Sequence, residues 1–254
     1  TLHDKGLSMA PPAQSNQLIR RLYLDLTGLI PPPEVVEEFN ADPSDEHYRQ
    51  IVDQLLDDEQ HGVRWAKFWL DLVRYADSDG YSADSYRDEA WRYRDYVIDS
   101  FNHNRPYDQF IQQQLAGDEL ETMNQQAQIA TGFLRHWIYE FNQRDAKSQW
   151  DIILNDITDV TGDAFLGLGM SCARCHDHKF DPILQDDYFR LRAFFAPLLP
   201  LDEQLAGTSS QRAAYRTKFE KWRQATSDVR KQIDSMQAKH IKKLTTAQIE
   251  MFPL

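Results

Sequence analysis

Apolar residues recur along this chain at intervals of three and four, the spacing that collects them on one side of an α-helix. In SNQLIRRLYLDLTGL, Leu18, Leu22 and Leu26 form such a stripe with Ile19 and Tyr23 beside them; Ser15 or Asn16 is placed to cap its start and Gly28 to end it. The prolines at 31–33 lead into a short helix carrying Val35, Val36 and Phe39, because proline is tolerated in a first turn. PSDEHYRQIVDQLL sets Tyr48, Ile51, Val52, Leu55 and Leu56 on one face behind a Ser44 cap. In GVRWAKFWLDLVRYAD the stripe through Trp65, Trp69, Leu72, Val73 and Ala76 is wide, which predicts a helix central to the core. AWRYRDYVIDSFN and YDQFIQQQLAG repeat the pattern, with a turn at 104–106 between them and Gly117 as a stop. WDIILNDITDVTGDAFLGLGM continues it through Trp150, Ile153, Leu154, Ile157, Val160, Ala164, Phe165 and Leu168, and runs on to Cys172.

No convincing strand is found, so the predicted fold is all-α: one helical domain over residues 1–200 and a charged C-terminal segment over 201–254. Within that segment QRAAYRTKFEKWRQATSDVRKQIDSMQAKHIKKL lacks Gly and Pro and has sparse apolar positions. It reads as one long, thinly amphipathic helix that packs on the domain or leads to a following one. Six Trp, eleven Tyr and thirteen Phe exclude a disordered chain. A net charge of −12 argues against a nucleic-acid backbone or an anionic membrane as partner and favours a basic one. No apolar run approaches the roughly 18 to 20 residues that span a bilayer, and TLHDKGLSMAPP has no apolar leader core, so no membrane span is predicted.

The only two cysteines stand together in SCARCHDHKFDP, as Cys172 and Cys175 followed by His176. Two cysteines cannot be a disulfide framework. A C-x-x-C-H unit is the attachment pattern of haem c: the thiols add across the two vinyl groups and the histidine reaches the iron. Three rivals stay open: a zinc site, a redox dithiol and a chance occurrence. Cys172, Cys175, His176 and His178 are four candidate zinc ligands within seven residues, although adjacent ligands at 175 and 176 turn awkwardly onto one ion. A redox dithiol would stand in a strand-to-helix context, and none is visible.

RRLYLDLTGL, RWAKFWLDLVRYAD with GY after it, WRYRDYVIDSFN, PYDQF, QLAGD, ATGFLR, CARCHDHKFDPI and DYFRLRAFF occur in this order between Arg20 and Phe195. In these blocks the chain resembles the planctomycete-type cytochrome c domain family. Leu184 departs from the Pro or Ser usual there, and HWIYEFNQRDAKSQ lies in a variable stretch. The resemblance implies an exported domain of a larger protein, carrying one covalently attached haem c, with another cytochrome domain or a redox protein as partner.

With haem as the preferred reading, His176 is the expected axial ligand, and Asp177 or Asp181 is placed to accept its Nδ1 proton. For the opposite face His136 is preferred over His61, His103, Met123 and Met170; Met170 is read as core, and an open position or a distal Tyr is an equal alternative. His178 and Lys179, with Arg74, Tyr75, Arg92 and Tyr93 as a group, are candidate partners of the haem propionates; ion pairs with the abundant aspartates are the plainer role for the arginines. Tyr81 and Arg94 belong to the same blocks. RYADSDGYSADSYRDE brings Asp77, Asp79, Asp84, Asp88 and Glu89 near Gly80, but it fits a calcium loop poorly and reads as an acidic capping loop. No hydrolase, phosphate-loop or zinc-protease motif is present. The expected function is electron transfer in the periplasm or an equivalent exported compartment. The alternatives are a haem enzyme or small-gas binder with an open or weakly held sixth iron site, and a scaffold in which haem is structural.

Overall fold

The computed structural model describes residues 3–8, 10–82, 84–120, 124–140, 145–200, 209–236 and 238. The chain divides into two compact units, Thr1–Leu201 and Asp202–Leu254. Among the described residues the regular structure is helical, with one isolated antiparallel bridge between Ser78 and Tyr86, so the fold is all-α. None of the described helices is long and apolar enough to cross a membrane.

Three helices open the first unit: α1 (Ser15–Leu26), α2 (Pro33–Ala41) and α3 (Asp45–Leu56). Ile19, Leu22, Phe39, Ile51 and Leu55 bury against one another as an apolar centre of their own. Gly28 takes a φ of +74°, the left-handed conformation that ends α1 cheaply. Ser44 caps α3 by accepting from the His47 N–H at 3.3 Å. The start of α1 differs from expectation. Gln14 is the flanking residue and makes no side-chain cap, while Ser15 is already helical and hydrogen-bonds Asn40 across to α2.

The main core is built on α4 (Glu59–Leu72) and α5 (Trp91–Asn102). The buried face of α4 runs through Gly62, Ala66 and Trp69 to Val73, whereas Trp65 and Leu72 are 41% and 44% exposed. Small residues decide this. A Cβ added to Gly62 would lie 2.3 Å from Asn102 Oδ1, so glycine there lets α5 approach and rotates the large residues at 65 and 72 outward. The expected wide stripe is therefore displaced by a fraction of a turn. Ala76 lies past the helix, beyond Arg74 with its φ of +60°.

Next come α6 (Tyr107–Ala116), α7 (Gln125–Ala130), a 3-10 turn at Thr131–Arg135 and α8 (Ala146–Thr161). They close the core around Tyr96, Val97, Phe110, Phe133, Ile153 and Ile157. Inside it the Trp69 indole N–H donates to Tyr93 Oη at 3.0 Å and to Gln114 Oε1 at 3.2 Å, and the Tyr93 hydroxyl donates to the same Gln114 oxygen. Gln114 Nε2 donates to the Phe110 carbonyl at 3.0 Å, which matches the polar atoms of a fully buried side chain.

After Thr161 the chain widens into a π-turn over Gly162–Leu166 and reverses at Gly167, φ +64°. It then enters a third and smaller apolar centre of Met170, Ala173, Ile183 and Tyr188. Tyr188 belongs to α9 (Gln185–Phe195), and Leu191 of that helix packs against both this centre and the main core. In the second unit α10 (Ser209–Ala225) is followed by further helix at 227–236.

Candidate functional site

The C-x-x-C-H segment is a surface loop anchored from beneath. Met170–Arg174 forms a 3-10 turn, and Cys175 closes it with its N–H 3.4 Å from the Cys172 carbonyl. Ala173, between the two cysteines, is fully buried, while Cys172 and Cys175 are free and exposed. Gly162 makes this seating possible, since a Cβ there would lie 2.9 Å from Met170 Cγ. Met170 is core, as its sequence position suggested. The start of α9 clasps the loop: the Gln185 N–H donates to Asp177 Oδ1 at 2.9 Å, and Gln185 Nε2 donates to the Arg174 carbonyl at 3.1 Å. The His178 N–H donates to the Ile183 carbonyl at 2.8 Å.

Two histidines in this loop hold opposite tautomers. His176 Nδ1–H donates to the Asp177 main-chain carbonyl at 2.7 Å, so the neutral ring presents Nε2 as a bare, exposed lone pair. The expected acceptor was the carboxylate of Asp177 or Asp181; the Asp177 carboxylate is instead spent on the start of α9. His178 Nδ1 accepts from the Asp181 N–H at 2.8 Å, which puts its proton on Nε2. The zinc set of Cys172, Cys175, His176 and His178 does not assemble: among the described residues no three His, Cys, Asp or Glu side chains come together to hold an ion.

Beneath the loop, burial raises both the Asp159 carboxyl and the Tyr188 hydroxyl above their ordinary values. Arg174 reaches toward Asp159 at 3.8 Å, and Arg192 donates to Asn155 at 3.0 Å and to Asp151 at 2.6 Å, tying α9 to α8.

His136 is 7% exposed and lies in the main core. Its Nδ1–H donates to the Val73 carbonyl at 3.2 Å, and its ring meets Tyr93 edge-on at 4.5 Å between centroids and Tyr75 at 5.7 Å. Burial, reinforced by Arg74, Arg87 and Arg135, pulls its pKa down to about 3, so the ring is neutral. Every contact named here is to the core, and none is to the 170–184 loop. His103 is exposed beside Asp99, His61 Nδ1–H donates to the Leu26 carbonyl at 3.2 Å, and Met123 lies outside the described residues.

A family model matches residues 1–199 of the chain. The chain belongs to PSCyt2, a family described as protein of unknown function (DUF1549). No curated protein and no solved structure matches it.

In this PSCyt2 domain part of the Arg and Tyr group of 74–94 gathers at His136, where Tyr75 and Tyr93 stack at 6.4 Å, while each arginine has its own acidic partner. Arg74 is paired with Asp156 of α8, Arg92 with Glu89 and Arg94 with Asp95. The Tyr75 hydroxyl donates to Asp77 at 2.6 Å, Tyr93 is buried in the core, and Tyr81 is exposed. The acidic loop is likewise internally satisfied: Asp84 accepts from the Gly80 N–H at 2.8 Å, and Asp79 binds Arg87 at 2.8 Å. Arg87, which the sequence did not single out, also donates to the carbonyls of Arg135 at 3.3 Å and Trp137 at 2.7 Å. It straps the 79–87 loop to the segment that carries His136. Gln185 was missed too. Nothing in composition marks either residue, because each acts on main-chain oxygens brought near only by folding.

Proposed function

We propose that the PSCyt2 domain carries one haem c, attached through Cys172 and Cys175 with His176 as axial ligand, and that it transfers electrons in an exported protein. The observation that carries this reading is one loop with two free exposed thiols followed by a histidine whose Nδ1 is committed to a carbonyl and whose Nε2 is open. Two thiols and a histidine are the donor types that haem c attachment uses. When bound, haem c supplies an iron that accepts and releases single electrons.

The chain's own residues hold the parts in place. The Asp177 carbonyl holds the His176 ring through Nδ1. Buried Ala173 and Met170 keep the turn seated while Cys172 and Cys175 stay exposed. His178, with its proton on Nε2, and Lys179 supply donors suited to propionate carboxylates. Phe180 at 83% exposure and Leu184 at 52% offer apolar surface in the same loop. Attachment needs reduced thiols and haem together outside the cytoplasm, which is why an exported compartment belongs to the proposal.

A second reading, a small-gas binder or haem enzyme with an open sixth site, draws on the commitment of His136 to the core. Spectra of the ferrous protein with and without carbon monoxide separate the two: prompt binding of the gas favours the second.

The parent proposal is tested by intact mass after production in a host with c-type maturation machinery. The expected result is polypeptide plus one haem, reduced to polypeptide alone in Cys172→Ala/Cys175→Ala. Unmodified polypeptide from the wild-type gene in that host would sink it.

A further inference from the structure

The second unit carries a surface the haem reading does not use. Tyr215, Phe219, Trp222, Val229, Ile233 and Met236 are all exposed, between 40% and 74%. Their spacing of four, three, seven, four and three, with Thr226 filling the one gap, is an unbroken heptad seam with Phe219, Thr226 and Ile233 at a and the others at d. The backbone supports one continuous face, because the Thr226 N–H donates to the Trp222 carbonyl at 2.9 Å and the Arg230 N–H to the Thr226 carbonyl at 3.0 Å. Tyr215 and Phe219 stack at 5.8 Å, Phe219 and Trp222 lie 5.5 Å apart, and Arg230 covers the Trp222 ring at 5.1 Å.

The positions flanking the seam decide what fits it. Arg216, Arg223 and Arg230 stand at e, and Lys218, Ala225 and Gln232 at g, so no flanking position from 216 to 232 is acidic. Glu220, Asp228 and Asp234 lie at outer b and c positions. Antiparallel pairing of two copies would oppose one arginine flank to the other, and parallel pairing would set Lys218 against Arg223 with no acidic residue at any of these flanking positions, which disfavours self-pairing. A membrane surface wants a broad apolar face, whereas this stripe is a narrow a/d seam hemmed by charge and glutamine. We infer that residues 215–236 dock a helix of another polypeptide whose own heptad seam is flanked by Asp or Glu.

The test uses the full chain and two synthetic peptides of four heptads, identical at a and d, with Glu or Lys at every e and g position. The chain is expected to sediment as a monomer and to bind the Glu peptide at least about tenfold more tightly than the Lys peptide, with the difference shrinking as salt rises. Arg216→Glu/Arg223→Glu/Arg230→Glu should invert the preference, and Phe219→Ser/Ile233→Ser should abolish binding. All five positions are exposed, so the first unit should keep its helical spectrum and melt, which is checked alongside. Equal or absent binding of the two peptides overturns the inference. So does a dimer that the seam variant dissolves, or capture of the chain by anionic phosphatidylserine vesicles in preference to the peptide.

Discussion

His136 is a titratable ring sealed in the core, and its protonation has a calculable effect. Burial holds its folded pKa at about 3, against about 6.5 in the unfolded chain. The unfolded state therefore binds the extra proton first as pH falls. The stability that rests on a neutral ring is complete above pH 6.5 and is lost progressively toward pH 3, at up to about 1.4 kcal/mol per pH unit. Urea melts at pH 7, 6 and 5 should show this loss, and His136→Phe should flatten it by close to one proton; parallel slopes for the two proteins would remove His136 as the cause. Gln114 is a second case. Replacing it with Leu leaves the Trp69 N–H and Tyr93 hydroxyl without their shared acceptor, at a cost of about 1–3 kcal/mol in a chemical melt. An unchanged midpoint would mean that the core repacks around the loss.

For α4, the sequence showed a helix but not which side of it is buried. Hydrophobicity voted for Trp65 and Leu72, yet the closeness of α5 is set by the absence of a side chain at Gly62, a signal periodicity scores as nothing. Asn102 uses that closeness, accepting from the Gly62 N–H at 2.8 Å and donating to the Glu59 carbonyl at 3.1 Å. Gly62→Ala gains about 1 kcal/mol in helix propensity but introduces overpacking of about 1–3 kcal/mol and breaks a hydrogen bond of about 1 kcal/mol. Net destabilisation is expected in a thermal melt, and a raised Tm would show that Asn102 moves aside freely. Other helices were legible because their signals are local: Ser44 as cap, Gly28 and Gly117 as stops, and the stripes of α3 and α5. α9 was noticed only as part of a familiar block. The motif loop was legible as chemistry through three residues, while the partners that hold it, Gln185 and the Asp177 carbonyl, depend on α9 arriving from later in the chain.

Across the whole molecule charge is unevenly divided. Residues 202–254 hold ten Lys or Arg and six Asp or Glu, a net of +4, so residues 1–201 account for −16 of the chain's −12 total. The unit bearing the thiol loop is thus strongly acidic and suited to a basic partner, while the seam at 215–236 is suited to an acidic one. Burial within the first unit is uneven as well. Among the described residues the main core joins sixteen buried apolar side chains, the centre beneath the thiols only four, and Leu191 packs against both. So small a patch can breathe without disturbing the rest. In deuterium labelling, main-chain amides at 170–184 should take up isotope well before those at 91–102 and 107–116, and uniform uptake would contradict this. A group bridging both cysteines would close that gap, so on the proposed reading the attachment of haem would be felt in this loop as rigidity.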